Sequence, residues 1–489
     1  MDRRRFLSCG TSAAVVWISG CGGSSTGMGP GMGSPGSAAE TLPPAGLAFV
    51  APSLAQPNRA GNVVEVTLTA APATLALGNG LAPEFWAYNG SVPGPTIDVN
   101  EGDRLRITFR NRLPLESTIH WHGLPVPADQ DGNPMDPVAP GADRVYEFTL
   151  PAGSAGTYWY HPHAHRTTSE QVFRGLAGLI IVRDPRDPLT LAGATEVPMV
   201  LSDLRLDAQG RIAPNSSIDM IGGRIGGTLL VNGRRAPRLA IRAGETQRWR
   251  VLNACSARFL ELVLERGAFT LVGTDGGLLG EPVAGLARVP LAPAERVELL
   301  VTGIGPAGTL ASVDTLAHAG GSMMGGGGSP ATDVLTLETV AGAGAPVAVP
   351  VALRPILELP VATSGRRVVL SGDGMMSPFA IDGRTFEMGR IDAVSRRGEV
   401  ERWEVVNESF MDHPLHIHGT QFQVLGRAIG GRVQPEPWLA WKDTVNVRAG
   451  ETVTLKVRHD LPGLRMFHCH ILEHEDAGMM ATLNVVDAS

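Results

Sequence analysis

Ten of the thirteen histidines lie in or beside four short clusters, nine in His120-Trp121-His122, His161-Pro162-His163, His413-Pro414-Leu415-His416-Ile417-His418 and His468-Cys469-His470, and His474 just beyond the last. Residues i and i+2 of a strand share a face. The four His-X-His pairs (120/122, 161/163, 416/418, 468/470) therefore read as two-pronged claws, eight imidazoles in all. Imidazole alone suits zinc, copper, iron or nickel. Cys469 decides between them. With His413, His474 and Met479 it gives two imidazoles, a thiolate and a thioether, the donor set of a blue-copper electron-transfer site. Zinc would have no use for that thioether or for eight further imidazoles, so the metal is predicted to be copper. Alternation in His468-Cys469-His470 sends the sulfur to one face and both imidazoles to the other. Metals on the two faces would then be joined through a few backbone bonds, which suits taking electrons in at one place and using them at another.

Strands must carry these claws, and the sequence supplies them. Val63-Val64-Glu65-Val66-Thr67-Leu68-Thr69, Arg104 to Phe109 and Thr452 to Val457 alternate with period two, and no long segment has a helical period. A domain-sized repeat runs through the chain. Residues 88–113, 231–256 and 381–410 each hold Asn/Asp-Gly, an apolar stretch, a Gly/Glu turn, an alternating strand and then Asn111, Asn253 or Asn407. The strands, bounded by Gly/Pro turns, predict an antiparallel sandwich or barrel, repeated three times. The 489 residues, 43% hydrophobic and 18% charged, are enough for about three domains. Gly 61 and Pro 37 make the chain turn-rich. A net charge of −7, with no basic run beyond the N-terminus, excludes nucleic acid as an expected partner.

The motifs HWHG (120–123), YWYHPH (158–163), HPLHIHG (413–419) and HCHILEHEDAGMM (468–480), in this order, resemble the four copper motifs of the multicopper oxidases, a family that includes laccases, bilirubin oxidases and bacterial cuprous oxidases. The likeness spans residues ~60–485 and implies an all-β chain of three tandem cupredoxin-like Greek-key domains. It implies four copper ions: a type 1 ion on His413, Cys469, His474 and axial Met479, a type 2 ion on His120 and His416, and a type 3 pair, one ion on His122, His161 and His470, the other on His163, His418 and His468. The implied reaction takes single electrons from four donor equivalents and reduces dioxygen to two waters. Asp131 and Glu475 occupy positions resembling the family's proton-relay acids; an Asp-Gly turn and a solvated charge are their plainer readings. Asp443 reads as a partner of a copper ligand or as a structural ion pair. His165, His318 and His459 are assigned no copper.

The expected donor is a phenol or aromatic amine, as for a laccase. The alternative is copper(I), as for a periplasmic cuprous oxidase in copper tolerance. Met323, Met324, Met375, Met376 and Met411 are soft donors that would favour it, although Met is also an ordinary core filler. A copper-binding or scaffold protein without oxidase activity is the third reading, disfavoured by the complete ligand set.

At the N-terminus, Arg3-Arg4-Arg5-Phe6-Leu7 before a short apolar run resembles a twin-arginine export signal, and Ile18-Ser19-Gly20-Cys21 a lipobox that would anchor the chain by lipid at Cys21. The expected layout is a signal at 1–21, a flexible Gly/Ser/Pro linker at 22–45, and domains at 46–188, 189–345 (without copper ligands) and 346–489. The expected location is the periplasm, and the expected state a monomer. Cys255 reads as a buried free thiol.

Overall fold

A computed structural model describes residues 42–320 and 328–487. The signal and Cys21, most of the 22–45 linker, and Met323 and Met324 lie outside the described residues. The alternation seen in the sequence becomes burial. Arg104–Asn111 and Glu451–Arg458 bury every second side chain, because one face of each strand meets a second sheet and the other meets solvent.

The strands form three successive pairs of sheets. The first pair has five and four strands and lies between Asn58 and Arg183. The second has seven and five strands between Thr195 and Ala343, and the third six and five between Ser364 and Val486. Each pair encloses its own core, with Trp121, Trp249 and Trp403 among the largest fully buried side chains. The longest helices among the described residues have six residues, and no helix there is long and apolar enough to cross a membrane.

One expectation is corrected. The sheets are mixed, not purely antiparallel. Val63–Thr74 runs parallel to Arg104–Asn111, Thr195–Leu204 to Thr246–Asn253, and Ser364–Ser371 to Val400–Asn407. The chain leaves each opening strand for the opposite sheet before returning, so the two neighbours point the same way. Ala45, the last residue of the expected linker, and Ala48 just after it bridge to Arg235 and Arg238 at the edge of the second unit.

The repeat has a physical basis. Asn89-Gly90, Asn232-Gly233 and Asp382-Gly383 all have positive φ, the conformation a two-residue hairpin needs. Their side-chain oxygens accept from the backbone N–H of Thr69, Val200 and Val369. Asn111, Asn253 and Asn407 each close a parallel pair. Each amide nitrogen donates to two carbonyls: Leu115 and Val138, Arg258 and Leu291, Met411 and Val447. Each amide oxygen accepts from the N–H two residues on. Asn253→Ala would leave the buried Arg258 and Leu291 carbonyls without that donor. A loss of about 2–4 kcal/mol is expected, read as a lowered denaturation midpoint with the copper signals of the surviving folded protein unchanged.

Candidate metal centres

Short strands set the claws. His120–His122 pairs with Gly156–His161, bringing His120 opposite His161. His413–Ile417 pairs with Gly463–Cys469, bringing His416 opposite His468. The first and third units then face each other, and all eight claw histidines are buried.

Their ring nitrogens converge. His120 Nε2 lies 3.3 Å from His416 Nε2, and His122 Nδ1 3.3 Å from His161 Nε2. His468 Nε2 lies 3.2 Å from His163 Nε2 and 3.1 Å from His418 Nε2. His470 is turned edge-on to His122 and His161, at ring separations of 5.0 and 5.4 Å, and neither of its ring nitrogens has a hydrogen-bond partner. Outward nitrogens meet acceptors: His161 Nδ1 the Pro162 carbonyl, His468 Nδ1 that of Cys469, and His416 Nδ1 that of Asp443. Each such N–H bond leaves a lone pair on the inward nitrogen. Burial, reinforced by the neighbouring imidazoles, pushes His161, His163, His416, His418 and His470 well below the usual histidine range, which favours the neutral form that could bind a metal. Crowded inward lone pairs and an orphaned His470 fit metal ions held in this box.

The second donor set lies across the strand. Cys469 Sγ is 3.4 Å from His413 Nδ1 and 3.8 Å from His474 Nδ1, and those two nitrogens are 3.4 Å apart. Met479 is buried in the same core as Cys469, whose N–H donates to the Met479 carbonyl. Burial raises the Cys469 thiol above its usual value, so a metal ion is what would draw off its proton. Ser409 Oγ lies 2.7 Å from His413 Nε2. The second unit, which carries none of the ten clustered histidines, contributes a backbone atom: His474 Nε2 bonds the Ile221 carbonyl at 3.0 Å. Phe379 stacks on His474 at 3.9 Å. Above it the 373–377 loop exposes Met375 and Met376, 59% and 93% accessible, whereas Met411 is buried. The sequence offered no pattern for Ser409, Ile221 or Phe379; they arrive by tertiary contact.

Both relay candidates touch the box. Asp131 Oδ1 accepts from His120 Nδ1 at 3.1 Å and Oδ2 from His418 Nδ1 at 3.2 Å. Glu475 lies 3.2 Å from His468 Nδ1 and 3.5 Å from His163 Nε2, close without the alignment of a full hydrogen bond, and burial raises its carboxyl well above the usual range. Neither is a solvated charge. Asp443 combines both readings the sequence left open, meeting His122 Nε2 at 3.1 Å and pairing with Arg296. His318 bonds Asp412, the residue before His413, at 3.2 Å. His165 lies against Phe386, and His459 is buried beside Trp403. Cys255 is buried and free.

Cys469→Ser should abolish an intense blue absorption while the copper held by the eight imidazoles stays, measured by absorption spectroscopy and metal analysis. Loss of all copper together would show that the two donor sets are not separate.

Family models described as multicopper oxidase match residues 70–187 and 361–489, the segments that contain the claws. A multicopper oxidase of Staphylococcus aureus is 31% identical over 81% of this chain and 83% of its own length. A cell division protein of Xenorhabdus nematophila is 32% identical over 82% and 85%. The solved structure of a Campylobacter jejuni multicopper oxidase, described as a metallo-oxidase, superimposes with a TM-score of 0.85 at 37% identity, covering 91% of this chain and 96% of that one. With all four motifs buried in cupredoxin-like domains, the chain belongs to the multicopper oxidase family and is an oxidoreductase that uses copper.

Proposed function

We propose that the chain oxidises a one-electron donor at the His413/Cys469/His474/Met479 site and reduces dioxygen to water at the eight-histidine site. We take the copper complement to be one type 1, one type 2 and a type 3 pair, on the ligands inferred from the motifs. When bound, these ions would accept electrons singly and deliver four to one dioxygen. The observation that carries the reading is the single strand end in which Cys469 faces one donor set while His468 and His470 face the other. The backbone between them is the electron path. A complete, convergent donor set argues against a scaffold role, even with a cell division protein among the relatives.

The chain's own residues handle the protons. Asp131 spans one imidazole from each wall of the box, and Glu475 sits at its far side beside His163 and His468. Each places a carboxyl oxygen beside the imidazoles, and burial raises the Glu475 carboxyl so that it can carry a proton there. Asp131→Asn and Glu475→Gln should each slow reoxidation by dioxygen about 10²-fold or more. Reduction of the blue site by donor should be unchanged when the two half-reactions are followed separately by stopped flow.

Copper(I) is the donor we favour, which reverses the order expected from sequence. Both type 1 imidazoles are buried, and the outer nitrogen of His474 is engaged by Ile221 while Phe379 covers its face. A planar phenol finds no open imidazole edge. A small soft ion needs only donors such as the exposed Met375 and Met376. The similarity to a metallo-oxidase points the same way. Oxygen uptake by copper-loaded protein should be fast with copper(I) and slow with dimethoxyphenol until copper(II) is added. Brisk phenol oxidation indifferent to added copper(II) would restore the laccase reading.

We further propose export by the twin-arginine route with a lipid anchor at Cys21, on the strength of Arg3-Arg4-Arg5 and Ile18-Ser19-Gly20-Cys21. Cys21→Ser should move the protein from the membrane fraction to the soluble periplasmic one.

A further inference from the structure

The box is closed by two carboxylates placed alike and held differently. His120 stacks on His418 at 3.8 Å and His122 on His416 at 3.7 Å, so each stack pairs one ring from the first unit with one from the third. Asp131 spans the first stack; Asp443 serves the second, bonding His122 at 3.1 Å and lying 3.7 Å from His416 Nδ1. A buried arginine stands behind each. Arg465 approaches Asp131 only to 3.6 Å, and its two terminal nitrogens make no hydrogen bond. Arg296 is different. A guanidinium has five N–H donors in a fixed fork, and all five are used. Nε donates to the Thr157 carbonyl of the first unit at 3.0 Å. Nη1 donates to the Ala294 carbonyl at 3.1 Å and Nη2 to that of Asp275 at 3.0 Å, both in its own unit. The remaining two run side by side to Asp443 of the third unit, Nη1 to Oδ1 at 2.7 Å and Nη2 to Oδ2.

This clamp coincides with an anomaly in the box. His120, His161, His163, His416, His418 and His468 turn Nε2 inward, whereas His122 turns Nδ1 inward, toward His161. A reversed ring needs an acceptor on its Nε2 side, and Asp443 Oδ1 is there, held by Arg296 and by Thr444 Oγ1 at 2.9 Å. The glycine of the HWHG motif makes room. Gly123 has φ +87°, and a Cβ on it would collide with both Asp443 and Arg296.

We propose that Arg296, from the unit that carries no clustered histidine, is the positioning residue of the eight-histidine centre: through Asp443 it fixes the reversed tautomer of His122 and the seat of His416, and so ties copper retention there to correct packing of all three units. The proposal rests on the trinuclear copper reading given above. It assigns Asp443 to a rigid role and leaves Asp131 as the carboxylate whose arginine is only loosely paired.

The test uses full-length, copper-loaded protein with Arg296→Lys, which keeps the charge and loses the fork, and Asp443→Asn, which keeps the shape and loses the charge. Both should retain the blue band and the type 1 electron paramagnetic resonance signal, which report a folded third unit. The type 2 signal and the near-ultraviolet type 3 absorption should be altered or lost, and a chelator should strip copper from the eight-histidine site about 10–100-fold faster than in wild type. Arg296→Lys should be the milder of the two. Either variant with a wild-type type 2 signal and wild-type copper loss would overturn the positioning role, as would loss of the blue band in parallel with the others. Absence of type 2 and type 3 signals from wild-type protein would instead remove the trinuclear reading beneath it.

Discussion

The structure depends on imidazoles being stacked across an interface. Rings nearly 300 residues apart in sequence, His120 with His418 and His122 with His416, lie 3.8 and 3.7 Å apart and buried, with Asp131 and Asp443 at their outer edges. Burial and the neighbouring rings disfavour the charged form of His161, His163, His416, His418 and His470. The surrounding chain therefore places acceptors outside the box and nothing but lone pairs inside it. The two sheet pairs that carry the claws are built to hold that arrangement against its own electrostatics.

The domain without claws acquires a purpose on this view. It meets His474 of the cysteine donor set with the Ile221 carbonyl and reaches the eight-histidine set through Arg296, while Lys442 and Asp275 extend the same buried ion network at 3.0 Å. Buried pairs of this kind contribute little net stability. Their value lies in geometry, since a guanidinium fork accepts one orientation of a carboxylate and no other.

Legibility in the sequence followed the range of each interaction. His-X-His claws, the His468-Cys469-His470 split and the Asn/Asp-Gly hairpins depend on neighbours two residues apart, so spacing alone revealed them, and Asn111, Asn253 and Asn407 stood out because one local bonding pattern recurs three times. Parallel pairing between strands such as Val63–Thr74 and Arg104–Asn111 was hidden, because alternation is the same in either direction. Arg296, Ile221 and Ser409 were invisible: an isolated arginine, isoleucine or serine has no periodicity, and each matters only for what packs against it. Asp443 could be noticed but not resolved, since its two partners lie 147 and 321 residues away.

The central claim is that two separate copper sites share the strand end His468-Cys469-His470. Anomalous diffraction from copper-loaded crystals, collected on both sides of the copper edge, tests it most directly. The account predicts one copper peak enclosed by His413, Cys469 and His474, and a cluster of peaks within the eight imidazoles, one of them between His120 and His416. Peaks that vanish at the copper edge but persist at the zinc edge, or a filled cysteine site beside an imidazole box that stays empty at saturating copper, would contradict it.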